Sequence, residues 1–299
     1  METATFENVV LPIARMENEK ATESRILRFY KAVSANQELR VASTEASKLF
    51  DQDAIESGMR QDLFDLVEAV LKKNELLDPE SRRLLEIKHK SYILKGLNLP
   101  AGHQQNLKQI NVRLSKLIAD FRGNLNEESG GIWFTLNELD GVPGDVIDTL
   151  KKGGVENEGK FWLTFKDPHM VPTLKYATNA ETRKRLFIGN ENKCNQNVPL
   201  FREIVLLRDE AARILGYDSH ADRMIGGMMA KLPKTVNDFL GDLRTSFAPG
   251  GRKEMANLLK LKQQDLKDRS IDDPSSDKYF MWDHPYYDRI MLEKDFALD

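Results

Sequence analysis

Crosslinks, bilayer spans and a dominant charge are all missing from this chain. Its 299 residues hold one cysteine, Cys194, so no internal disulfide can form and stability has to come from packing. No apolar run approaches the roughly 18–20 residues that cross a bilayer. Residues 1–20 alternate acids with bases and lack the apolar centre of a secretory leader. The same stretch is too acidic for a typical mitochondrial presequence, which leaves the cytoplasm as the expected compartment. The 44 basic and 47 acidic residues nearly cancel, to a net charge of −3. Proteins built on phosphate contacts carry a basic excess or stripe, so nucleic acid is not an expected partner. Histidine is scarce as well: His89, His103, His169, His220 and His284 are followed by Lys90, Gln104, Met170, Ala221 and Pro285. No histidine precedes a glutamate, so the H-E-x-x-H pattern that sets two imidazoles one helical turn apart for zinc does not occur.

What is present is a folded, mainly α chain. Hydrophobic residues make up 40% and charged residues 30%, the balance of an ordered protein. Over residues 106–126, Leu107, Ile110, Leu114, Leu117, Ile118, Phe121 and Leu125 recur at helical spacing and draw one apolar stripe. Met59, Leu63, Leu66, Val67, Val70 and Leu71 draw another. Phe201, Ile204, Val205, Ala211, Ile214 and Leu215 draw a third, with Gly216 placed to end it. Val236, Phe239, Leu240, Leu243 and Phe247 form a shorter stripe that Pro249-Gly250-Gly251 is expected to stop. Asp78 before Pro79 marks a helix start, and Thr178 with Glu181 has capping-box spacing. Leu99-Pro100-Ala101-Gly102 reads as the apex of a helical hairpin. Near residues 130–167 the helical period lapses. There Phe161, Leu163 and Phe165 alternate with Trp162 and Thr164 as in a strand, with Ile132-Trp133-Phe134 as partner, forming a small β insert. The expected division is an N-terminal helical domain with the insert at 1–176 and a second region at 177–299. No internal repeat of fixed period is present.

Few residues suggest chemistry. Asp218-Ser219-His220-Ala221-Asp222 offers ligand types suited to zinc. The spacing puts Asp218 and Asp222 on one helix face and His220 on another, and the cluster follows Gly216, where Asp218 or Ser219 would cap a new helix. Capping is the preferred reading, metal ligation the alternative. Cys194 lies between Lys193 and Asn195 with no cysteine-protease signature and reads as an incidental thiol. Met281-Trp282-Asp283-His284-Pro285-Tyr286-Tyr287 could line a groove, though such residues more often pack a helix end. The basic pairs Lys72-Lys73, Arg82-Arg83 and Lys151-Lys152 are interleaved with acids and read as solvated surface. No catalytic or metal-ligating residue is assigned.

Several segments resemble, in order, those of the thimet oligopeptidase and saccharolysin family of zinc metalloendopeptidases. They are Val41-Ala42-Ser43-Thr44-Glu45-Ala46, Met59-Arg60-Gln61-Asp62, Phe121-Arg122-Gly123-Asn124-Leu125-Asn126-Glu127 and Phe134-Thr135 with Glu138-Leu139-Asp140-Gly141-Val142-Pro143. Residues 181–231, and Trp282-Asp283 with Tyr286-Tyr287, continue the likeness. The resemblance implies a neurolysin-like, mostly helical enzyme in two halves, with a channel that admits short unstructured peptides. It also implies zinc held by the histidines of H-E-x-x-H and a downstream glutamate, the motif's own glutamate taking a proton from water. None of those positions can be carried onto this sequence. The expectation is therefore a fragment holding the N-terminal region and the beginning of an incomplete peptidase domain. Such a fragment would lack the catalytic motif, be inactive alone, and expose an apolar face where the rest would pack. Gly226-Gly227 departs from the family pattern, since a helix would normally continue there. The alternatives are a non-catalytic helical module that binds peptides or a partner, and an unrelated metalloenzyme using His220.

Overall fold

The computed structural model describes residues 2–296. A short π-helical turn at Phe6–Val10 leads into α1 (Leu11–Val33), α2 (Gln37–Gly58), α3 (Gln61–Lys73), α4 (Pro79–Ile93) and α5 (Ala101–Asn126). The β insert follows: β1 (Gly131–Thr135), α6 (Gly144–Thr149), β2 (Lys151–Lys152), a 3-10 turn at Val155–Asn157 and β3 (Lys160–Thr164). Then come α7 (Asp167–Tyr176), α8 (Ala180–Glu191), α9 (Asn197–Ile214), α10 (His220–Ile225), α11 (Pro233–Asp268) and α12 (His284–Phe296). The chain is mainly α with a small antiparallel sheet, as its sequence pattern implies. It forms two compact units, one from residues 1–126 with 196–233, the other from 127–195 with 234–299.

In the first unit the sequence stripes become buried faces. Phe64, Val67 and Val70 of α3 meet Leu85 and Tyr92 of α4 and Val9 and Val10 of the π turn. Leu107, Ile110, Leu114 and Leu117 of α5 close on Ile204 and Ala211 of α9. Burying each such side chain fully contributes about 1.5–3 kcal/mol. The polar lock on this pair is explicit. Arg113 donates Nε and a terminal N–H to the two oxygens of Glu203 at 2.6 and 2.8 Å. Near the start of α9, Asn197 accepts from Asn124 at 2.7 Å and donates to the Phe121 carbonyl at 3.0 Å. α1 and α2 pack as a pair, and two buried serines of α2, Ser43 and Ser47, bond across the contact. The Ser43 hydroxyl accepts from the Lys31 N–H and donates to the Leu27 carbonyl, joining α2 to the backbone of α1.

Several local expectations are corrected. α5 does not fold back along α4; it lays its stripe against α9 and α2, because the apolar face of α4 is already taken by α3 and the π turn. Gly96 makes that change of direction with φ of +88°, and a Cβ there would lie 2.5 Å from Leu107 Cδ1. Pro249 does not stop the fourth stripe, since α11 runs through it. Pro249 removes the N–H that would have served the Thr245 carbonyl, and both residues are exposed, where the loss of a helical hydrogen bond costs less than in a core. Asn179, not Thr178, caps α8, accepting from the Glu181 N–H at 2.9 Å; Thr178 instead donates to Asp140 Oδ2 at 2.7 Å. The α9 stop does form as read. Gly216 sits at φ +82°, its N–H donating to the Arg213 carbonyl and the Tyr217 N–H to Ala212, a Schellman closure.

In the second unit β1 and β3 pair antiparallel, with Ile132 opposite Leu163, Trp133 opposite Trp162 and Phe134 opposite Phe161. The two tryptophans share the outer face, ring centroids 5.1 Å apart. Phe134 and Leu163 are fully buried with Leu139, Leu174 and Leu186. β2, the two-lysine strand on the other edge of β3, had no apolar alternation to announce it.

Candidate functional site

Three charged side chains meet where water is excluded, all in the second unit. Arg183 of α8 is 1% exposed, Lys262 of α11 2%, and Asp283, just before α12, 0%. Asp283 takes a terminal N–H of Arg183 at 3.3 Å on one oxygen. Its other oxygen takes Lys262 Nζ at 2.9 Å and the Phe280 N–H at 3.1 Å. Arg183 also donates to the Ala177 and Thr178 carbonyls at 2.7 and 3.2 Å, and its guanidinium lies 4.3 Å from the Tyr286 ring centre. Lys262 donates to the Lys278 carbonyl at 2.8 Å. Arg183 Nε is buried with no hydrogen-bond partner.

A cleft of about 860 Å³ borders this network and is lined also by Asp273, Trp282 and Tyr287. Tyr287 donates its hydroxyl to Asp265 at 3.1 Å, and burial, reinforced by the Asp265 charge, pushes the phenol far above its ordinary pKa. Asp273 is held below the usual carboxylate range, first by the Ser275 hydroxyl. Asp283 holds three donors. The arrangement ties α8, α11 and the start of α12 together; it does not assemble a nucleophile and base.

The sequence flagged Asp283, Tyr286 and Tyr287 but not their cationic partners. A signal existed: Leu258, Lys262 and Leu266 lie at steps of four on one face of α11, a lysine inside an apolar row. Thr182, Arg183 and Leu186 show the same anomaly on α8. Charges at core-facing positions need buried counter-charges, and Asp283 among aromatics is the matching acid.

The other flagged residues are dispersed. Ser219 caps α10, accepting from the Asp222 N–H at 3.2 Å and lying 2.5 Å from Asp222 Oδ2. His220 buries Nδ1 without a partner, and burial, then the charges of Arg208 and Arg223, lower its pKa. Cys194 stands at φ +57° in the α8–α9 connection. His284 Nδ1 is 3.4 Å from the Tyr279 hydroxyl, His169 bridges Thr164 and Thr149, and His89 stacks on Phe64. α10 ends at Ile225, so Gly226 and Gly227 fall outside a helix interior. Zinc implies three or more converging His, Cys, Asp or Glu side chains. No such group of three occurs among the described residues. The residues present do not fit the ion.

The model of the family described as Peptidase family M3 matches residues 173–299, the part that contains Arg183, Lys262 and Asp283. Saccharolysin of Saccharomyces cerevisiae is 33% identical over 100% of this chain and 43% of its own length. The chain belongs to peptidase family M3, with thimet oligopeptidase and saccharolysin. Among other M3 relatives, oligopeptidase PhomG′ of Diaporthe leptostromiformis is 37% identical over 96% of this chain and 24% of its own length. Oligopeptidase A of Escherichia coli is 24% identical over 95% and 43%. The chain thus spans less than half the length of these M3 relatives. Among the described residues no helix is long and apolar enough to cross a membrane.

Proposed function

We propose that these 299 residues form the helical, non-catalytic part of a zinc-dependent oligopeptidase that hydrolyses short peptides in the cytoplasm. The observation that carries this reading is the alignment with saccharolysin along the whole chain at 33% identity, in a sequence without H-E-x-x-H. Hydrolysis would then depend on a zinc-bearing helix outside these residues, and the chain alone would be inactive. The family match from residue 173 onward supports starting the peptidase domain near residue 177, after an N-terminal helical domain at 1–176. Exposed Phe29 and Val33 on α1, and Phe239 and Phe247 on α11, support apolar surface that the rest of such an enzyme would cover.

The test is hydrolysis of quenched short peptides by the purified chain, with and without added zinc, alongside metal analysis. The expected outcome is background turnover and no stoichiometric, tightly held zinc. Cleavage abolished by a chelator would overturn the inactive reading. A second reading, a self-sufficient peptide-binding module, is favoured by a cleft built wholly within the first unit. The two differ in solution: an incomplete enzyme binds hydrophobic dye or aggregates, whereas a module is monodisperse and melts cooperatively.

A further inference from the structure

The first unit contains a cleft of about 770 Å³ among α1, α2 and α5, within the size range of ligand sites. Six cations line it, Arg28, Lys31, Lys48, Lys95, Arg122 and Arg223, against one carboxylate, Asp51. The chain as a whole has more acids than bases, so this concentration runs against its overall balance. Asp51 is already engaged by Arg28 at 2.8 Å, which leaves five cations with no acid inside the cleft. Lys31 is fixed rather than mobile: its ammonium donates at 3.0 Å to the buried Ser47 hydroxyl, which itself donates to the Ser43 carbonyl at 2.8 Å. Burial, then the charge of Arg28 and also that of Arg122, lower the Lys31 pKa despite Asp51. Burial likewise lowers Lys95. At Lys31 the repulsion of Arg28 and Arg122 exceeds the attraction of Asp51, which an incoming anion would relieve; at Lys95 desolvation leads and Glu17 offsets part of it.

The rest of the lining narrows the choice of anion. Ile55, Met59, Leu114 and Ile118 give the cleft an apolar wall beside the cations. α1, α2 and α5 contribute residues from their bodies and C-terminal turns, so no long helix N-terminus offers the row of free N–H groups that favours phosphate. Cations spaced along an apolar surface match a ligand that alternates carboxylates with apolar side chains. We propose that this cleft binds acidic peptide segments, its cations pairing with Asp and Glu side chains while its apolar wall takes the residues between them. The inference rests on the reading of the chain as part of a peptide-handling protein and names the class of peptide.

The experiment is fluorescence anisotropy on the full chain with labelled short peptides alternating Glu with Leu, Gln with Leu, or Lys with Leu. The Glu peptide is expected to bind about tenfold or more tighter than the Gln peptide and to weaken as salt is raised. Lys31→Met with Lys95→Met should weaken it about tenfold. Lys48→Gln with Arg122→Gln, both at exposed positions, should weaken it by a smaller factor while leaving the circular dichroism spectrum unchanged. If the half-buried pair of substitutions fails to fold, the exposed pair decides: unchanged affinity overturns the site. Displacement of the Glu peptide by inorganic tripolyphosphate at lower concentration than by unlabelled peptide also overturns it. Equal binding of the Glu and Gln peptides removes the anionic site and leaves the peptide-handling reading standing. No binding of any of the peptides removes both.

Discussion

Asp283 carries the counter-charge for two buried cations, and its loss should be felt far more than the loss of either partner. Asp283→Ala leaves Arg183 without a carboxylate and Lys262 with only Asp273, at 4.0 Å, both cations being under 3% exposed. Removing one member of a buried pair costs about 3–5 kcal/mol, so urea denaturation should place Asp283→Ala in that range. Lys262→Met should fall clearly below it, because Asp283 then keeps Arg183 and the Phe280 N–H. An equal loss in both variants would mean that the ion network contributes little beyond packing. His220 provides a pH signature at the same scale. Its folded pKa lies below the usual 6.5, through burial and then Arg208 and Arg223. The unfolded chain therefore takes the proton more readily than the folded one. The stabilising contribution of the neutral ring is present above that value and lost as pH falls through it toward the folded pKa. Stability measured between about pH 7.5 and about pH 5.5 should fall less steeply in His220→Gln than in the parent chain.

At the level of elements, legibility followed periodicity. α3, α5 and α9 each carry an unbroken apolar row, and a helix formed over each. The β1–β3 pair was equally readable, because Phe161, Leu163 and their partners alternate about a single buried face. What could not be read were features set by partners distant in sequence. The choice of α9 over α4 as the neighbour of α5 depends on which faces are already occupied. The placing of Arg183 and Lys262 beside Asp283 depends on three elements converging. Pro249 shows local propensity losing to its surroundings, since the helix persists on both sides of it at an exposed position. An interior proline in a helix costs about 3 kcal/mol relative to alanine. Pro249→Ala should accordingly raise the helical circular dichroism signal and the melting temperature. A lowered melting temperature would show that the chain needs the irregularity at that point.

For the whole molecule, the compact units and the linear order of the chain do not coincide. The first unit is completed only by residues 196–233, which follow the β insert and α8 of the second. A piece ending at residue 176 therefore keeps α5 but loses α9, uncovering Leu107, Ile110, Leu114 and Leu117. That piece should bind more hydrophobic dye and self-associate more readily than residues 1–233, which keep α9 over the same face. Identical behaviour of the two pieces would mean that α5 is stable without its partner. The family was legible from ordered local motifs. The two units were not, because they arise from pairings such as Arg113 with Glu203, 90 positions apart, which no local pattern encodes.

The pairing of α5 with α9 also sets a timetable for synthesis. The apolar face of α5 leaves the ribosome about 70 residues before the start of its cover, which at about 5–20 residues per second is a delay of roughly 4–14 seconds. For that interval the nascent polypeptide presents a greasy helix with nothing to shield it, a natural target for a chaperone. The speed at which the ribosome traverses the intervening codons would govern how much newly made protein reaches its native form.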